Sequence, residues 1–193
     1  DAVATLPFLG IASQYSASSS RPELLPMQHN QQDVHQINKY LLGSNWLVHE
    51  ASPARFLQEA TRYNIIHIAN HTLVAQVAPL HSAITFPTSQ NKVEELKLSQ
   101  LYQMQLQAKL VTLSSCNSGT GPYQQGEGNL SHAYGFRYAG AEAVLMSLWQ
   151  VDDASTSQLM GDYYGALQTG SSAASAQQAA KRRYRQAAAP VSP

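Results

Sequence analysis

The chain has 193 residues, a length that suits one domain with a sizeable core. Twelve basic residues balance twelve acidic ones, so net charge supplies no case for nucleic acid or for an anionic membrane surface. A single cysteine excludes an internal disulfide and fits a reducing compartment or a redox-indifferent one. No apolar run approaches the ~20 residues of a membrane span. The opening "DAVATLPFLG" lacks the basic start and long apolar centre of a secretory signal, so a cytoplasmic location is expected.

In chain order, "LPFLGIAS" (Leu6–Ser13) reads as a strand, and "SASSSRPELLP" as a polar loop punctuated by Pro22 and Pro26. "NQQDVHQINKYLLG" (Asn30–Gly43) places Val34, Ile37, Leu41 and Leu42 at helical spacing, with Gly43 as its stop. "NWLVHEA" (Asn45–Ala51) is a short strand. Ser52 as N-cap with Pro53 at the first helical position starts a helix through "SPARFLQEATRY". "NIIHIAN" (Asn64–Asn70) and "HSAITF" (His81–Phe86) are strands, and "NKVEELKLSQLYQMQLQ" (Asn91–Gln107) is helical in its second half. "AKLVTLSS" (Ala108–Ser115) is a buried strand, and "GNLSHAYGFRYAG" (Gly128–Gly140) a helix closed by its glycine. "AEAVLMSLW" (Ala141–Trp149) is a further strand. Two helices complete the pattern, one capped by Asp153 and ending at Gly170, the other carrying Lys181 to Arg185 near its C-terminal end, where cations suit the dipole.

Apolar strands that do not alternate, separated by helices, describe a parallel sheet covered on both faces. The expected class is α/β, a three-layer sandwich with a mostly parallel sheet. Residues 1–187 read as one domain and 188–193 as a disordered tail.

In open α/β sheets the reacting groups gather outside the C-terminal strand ends. Two strands here deliver candidates at that place: His71 just past "NIIHIAN" and Cys116 just past "KLVTLSS". An unperturbed thiol has pKa about 8.5, so little thiolate exists at neutral pH. A neighbouring imidazole can take that proton and later return it to a leaving amine. Alone, a thiol after a strand is most often a small buried hydrophobe, and a histidine there a structural group. The matching placement of the two is what favours catalysis. His67, inside the strand, reads as core or as a support behind the reacting groups. His29, His35, His49, His81 and His132 share no metal-ligand spacing with a second cysteine or a carboxylate pair, so neither metal nor cofactor is expected. The glycines of "NSGTGPYQQGEG" fit no phosphate-cradling pattern.

Taken together, "NIIHIANH", "AKLVTLSSCNSGTG" and "GEGNLSHAYGFRYAGAEAVLMSLWQVDDASTSQLMGDYYGALQTG" resemble the successive motifs of the CHAT family, with similarity reaching upstream to "LLPMQHNQQDVHQI". CHAT domains are caspase-like, are often attached to tetratricopeptide repeats, and belong to the clan of cysteine peptidases that includes caspases and separase. The resemblance implies a caspase–haemoglobinase fold lacking its first strand-and-helix unit, and a cysteine endopeptidase acting on a protein or peptide substrate. His71 is then the base and Cys116 the nucleophile. The backbone N–H groups of Cys116 and Thr72 would bind the oxyanion. Thr72 stands where the family often has Gly or Ala, and Ser115 where it usually has Ala. In separase-like members an Asp in a "W-x-V-x-D" stretch accepts a basic P1 side chain, which points to Asp153 and its neighbour Asp152 in "LWQVDD". Capping of the following helix is the competing role for Asp153. Regulation by a partner or by flanking repeats is expected. The rival readings are a catalytically silent caspase-like scaffold, and a different cysteine hydrolase or acyltransferase.

Overall fold

The computed structural model describes residues 6–17, 20–21, 23–27, 29–114, 123–124, 128–129, 131–147 and 153–188, of which 123–124, 128–129, 153 and 188 are described in backbone only. The elements in chain order are β1 (Phe8–Ser13), α1 (Asn30–Ile37), β2 (Gly43–Val48), α2 (Pro53–Glu59), β3 (Ile65–Ile68), β4 (Thr72–Leu73), β5 (Ala83–Pro87), β6 (Val93–Lys97), α3 (Leu98–Leu101), β7 (Leu110–Leu113), β8 (Tyr123–Gln124), β9 (Gly128–Asn129), α4 (His132–Tyr138), β10 (Val144–Met146), α5 (Asp153–Gln168) and α6 (Ala173–Ala188). The 188–193 tail, apart from Ala188 at the end of α6, lies outside the described residues.

Five strands form a sheet in the order β10-β7-β3-β1-β2, and every pairing is parallel. Its central strands are buried on both sides, which is why "IIHI" and "LVTL" run almost wholly apolar. Successive side chains point to opposite faces. Phe8, Ile65 and Leu110 face Ile37 of α1, Tyr164 of α5 and Ala176 of α6. Leu9, Ile66 and Val111 face Phe56 of α2, Leu98 of α3 and Phe136 of α4. The expected α/β sandwich with a mostly parallel sheet is the architecture found. No described helix is long and apolar enough to cross a membrane.

Local signals account for several boundaries. Ser52 Oγ accepts the Arg55 N–H at 3.2 Å, and Pro53 opens α2. Three expectations are corrected. The helix from Asn30 ends at Ile37, and Gly43 opens β2 instead of closing that helix. The glycine is required by strand contact: a Cβ there would lie 2.1 Å from the Phe8 carbonyl oxygen. Val93–Lys97 forms β6, antiparallel to β5, and the helix after it is only the four residues of α3. Gly128–Asn129 pairs with Tyr123–Gln124, so α4 begins later, with Ser131 Oγ accepting the Tyr134 N–H at 3.3 Å.

Candidate active site

β3 and β7 are neighbours, in register from Ile65–Leu110 to Ile68–Leu113. Beyond β3 the chain runs Ala69, Asn70, His71; beyond β7 it runs Ser114, Ser115, Cys116. Parallel strands leave the sheet at the same edge, and the Ser114 N–H extends the ladder to Ile68 O at 2.9 Å. Cys116, Ser115, Asp152, the side chain of Asp153 and most of the glycine-rich loop lie outside the described residues.

His71 is half-buried, and its backbone is held from both sides. Its N–H donates to the Tyr15 hydroxyl at 3.0 Å. Its carbonyl accepts from the Thr85 N–H and from Thr85 Oγ1, each at 3.0 Å. Tyr15 donates to Thr85 O at 2.9 Å and presents its ring edge-on to the imidazole, with centroids 4.5 Å apart. Burial pushes the Tyr15 phenol well above its ordinary range, so it stays protonated. The imidazole Nε2 lies 2.7 Å from Leu25 O. A carbonyl only accepts, so Nε2 carries the hydrogen, and in the neutral ring the lone pair is on Nδ1.

The residue before His71 explains the rigidity of the strand exit. Asn70 is fully buried; its Oδ1 accepts the Ser13 N–H at 2.9 Å, and its Nδ2 donates to Ser13 Oγ at 2.9 Å and to Thr85 O at 2.8 Å. Thr72, after His71, opens β4. Because the Thr85 N–H goes to His71 O, Thr72–Ile84 is a non-hydrogen-bonded pair of the antiparallel ladder, and the Thr72 N–H is directed away from β5.

His67 sits within β3 with no exposure, as its mid-strand position predicts. It meets Tyr164 edge-on at 5.7 Å, and its Nδ1 is 3.3 Å from the Tyr164 hydroxyl, which donates to Thr112 Oγ1 at 2.8 Å. Burial pushes His67 down to about 3, so it is neutral. Asp33 Oδ2 lies 3.9 Å from His67 Nε2 and accepts the Ser114 hydroxyl at 2.8 Å. Among the described residues no group of three His, Cys, Asp or Glu side chains is placed to hold a metal ion. A cavity of about 200 Å³ opens at the ends of β7 and β10. Its described walls include Leu113, Ser114, Met146, Met160, Tyr163 and Lys181, with no carboxylate among them.

Asn30, Asp33, Asn70, Tyr15, Thr85 and the Leu25 carbonyl are additions to the residues expected from sequence. Only the α1 pair had a readable signal, as polar residues on the apolar stripe of Val34 and Ile37. The CHAT domain family model matches residues 5–191. The chain belongs to the CHAT-domain family. CHAT domains are related to caspase-like peptidases. A comparison with curated proteins finds no match. Among solved structures, a Streptococcus pneumonia TIGR4 flavodoxin is similar to this CHAT domain over 85% of this chain and 99% of that one, at 10% identity and a TM-score of 0.43.

Proposed function

We propose that this CHAT domain is a cysteine endopeptidase that works through a His71–Cys116 dyad. The observation that supports it is the state of His71. Leu25 O engages Nε2–H, so the basic nitrogen is Nδ1, on a ring held at the exit of the strand next to the one that leads to Cys116. The chemistry then runs in two halves. Nδ1 accepts the thiol proton and the Cys116 thiolate attacks the scissile carbonyl carbon. The C–N bond breaks as Nδ1–H protonates the leaving amine, giving a thioester on Cys116. Water attacks that thioester and passes a proton to Nδ1. The C–S bond breaks, the carboxyl product leaves, and the thiolate recovers a proton. The N–H groups of Cys116 and Thr72 would stabilise each oxyanion.

None of these steps calls for a metal or cofactor. The substrate class is a protein or peptide, and Asp152 and Asp153 would favour a basic P1 side chain by a charge-assisted contact. A partner or attached repeats would control access to the cleft, and a reducing, cytoplasmic setting would keep the thiol available. The test is labelling with a peptidyl acyloxymethyl ketone, read by intact mass. One adduct per chain on Cys116, absent in Cys116→Ala, supports the reading. A folded wild type that takes no label and cleaves no member of a peptide library rejects it in favour of the silent scaffold.

A further inference from the structure

We propose that the first turn of α1 is the positioning device of this site: Asn30 holds the strand exit that carries His71, and Asp33, through Ser114, holds the exit that leads to Cys116. The proposal rests on the dyad reading above and names positioning residues for it.

Asn30 and Asp33 are each 1% exposed. They are three positions apart on the helix, hence on one face. Asn30 Nδ2 donates to Ser13 O at 2.8 Å and to Ala69 O at 3.1 Å, tying the ends of β1 and β3 together two residues before His71. Asp33 Oδ2 accepts the Ser114 hydroxyl at 2.8 Å, two residues before Cys116. One helical turn therefore touches both exits. The helix is seated tightly enough to hold them: a Cβ on Gly10 of β1 would lie 2.6 Å from Val34 Cγ1.

A carboxylate is costly to bury, and an apolar residue would fill the same space at less cost. Burial keeps the neighbouring His67 neutral, and the Tyr164 hydroxyl is turned to Thr112. A hydroxyl–carboxylate bond is short and directional. It fixes the Ser114 side chain two residues before Cys116 in sequence. Misplacing a reacting group by ~1 Å can cost on the order of 10²-fold in rate.

The test uses the full chain and reads Cys116 with iodoacetamide, which needs no substrate site. The His71→Ala variant sets the rate of a thiol without its base. Wild type should alkylate about tenfold faster than that variant at pH 7, because the imidazole raises the thiolate fraction. Ser114→Ala and Asp33→Ala should each fall towards the His71→Ala rate, and the double variant should be no slower than either, since both break one contact. Asp33→Asn keeps an acceptor oxygen and should stay within about threefold of wild type. A merely structural role would lower the melting temperature without moving the pH profile of alkylation. If Asp33→Ala does not fold, Ser114→Ala, which removes one oxygen, decides alone. Profiles unchanged in Ser114→Ala, or additive effects in the double variant, overturn the proposal. A wild type that alkylates in a His71-dependent way but takes no acyloxymethyl ketone sinks the peptidase reading and leaves the positioning role standing. A wild-type rate that His71→Ala does not change overturns both.

Discussion

Replacing His67 and His71 by alanine, one at a time, separates a core histidine within β3 from the proposed base three residues past the end of that strand. His67 has no exposed surface and packs against Tyr164. Its removal is a large-to-small core change, a class that costs about 2–5 kcal/mol. Tyr164 keeps its bond to Thr112, so no hydroxyl is orphaned, and the lower half of that range, about 2–3 kcal/mol, is expected. In a chain of this size each kcal/mol moves the melting temperature by about 2–4 °C, which gives a fall of about 4–12 °C. His71 is half-buried and loses one hydrogen bond to the carbonyl of Leu25, an exposed residue that water can reach, along with its edge contact on Tyr15. That amounts to about 1 kcal/mol, or a few degrees. The rates should go the other way. His71→Ala should lose about 10²–10⁴-fold in cleavage, whereas folded His67→Ala should retain most of it. Differential scanning fluorimetry and progress curves on a fluorogenic peptide give both numbers from one preparation. Loss of cleavage in His67→Ala beyond its unfolded fraction, with His71→Ala active, refutes the assignment.

Acid should destabilise the fold through two buried neutral histidines: burial pushes His67 down to about 3 and His132 down to about 4. Above their unfolded value of ~6.5 neither contributes; below it the unfolded chain takes up protons that the folded chain refuses, so stability falls by about 1.4 kcal/mol per pH unit for each. Urea melts between pH 7.5 and 5 should show a loss of about 2 kcal/mol per histidine, and His67→Ala should halve it; an unchanged slope in that variant speaks against the mechanism. Gly10→Ala should cost about 1–3 kcal/mol in urea melts by forcing α1 off the sheet, and a variant as stable as wild type would show that the helix gives way. Asp153→Asn, a substitution that a helix cap would tolerate, should selectively reduce cleavage after Arg and Lys in a peptide library, and an intact basic preference rejects the acidic pocket.

The main sheet was legible because its signal is local and strong. Buried parallel strands must be apolar on both faces, so "IIHI" and "LVTL" announce themselves. Ser52 and Pro53 marked the start of α2 for an equally local reason. The errors lie where tertiary contact overrode propensity. The helix expected in the second half of Asn91–Gln107 shrinks to the four residues of α3, and "VEELK" before it pairs as a strand with the fully buried β5. Gly43 suits a helix stop equally well, and only the approach of the Phe8 carbonyl reveals that it belongs to β2.

The candidate site divides along the same line. His71 is a chemistry-bearing side chain at a strand exit, and the register of β3 and β7 puts that exit beside the one leading to Cys116. What orients His71 was not readable, because it is a backbone carbonyl: Leu25 O has the same chemistry in any residue, and sequence is silent about which carbonyl comes to rest 2.7 Å from Nε2. Tyr15 reaches His71 across 56 positions of sequence and Thr85 across 14, with no spacing to betray either. Asn30 and Asp33 are different. They break the apolar face of α1, and a buried polar residue must find a partner or cost stability. Such a break points to something across the interface that needs holding. Here it is the two strand exits, and the same logic makes Ser114 intelligible, since a hydroxyl one residue past a fully buried strand is worth keeping only where an acceptor such as Asp33 waits for it.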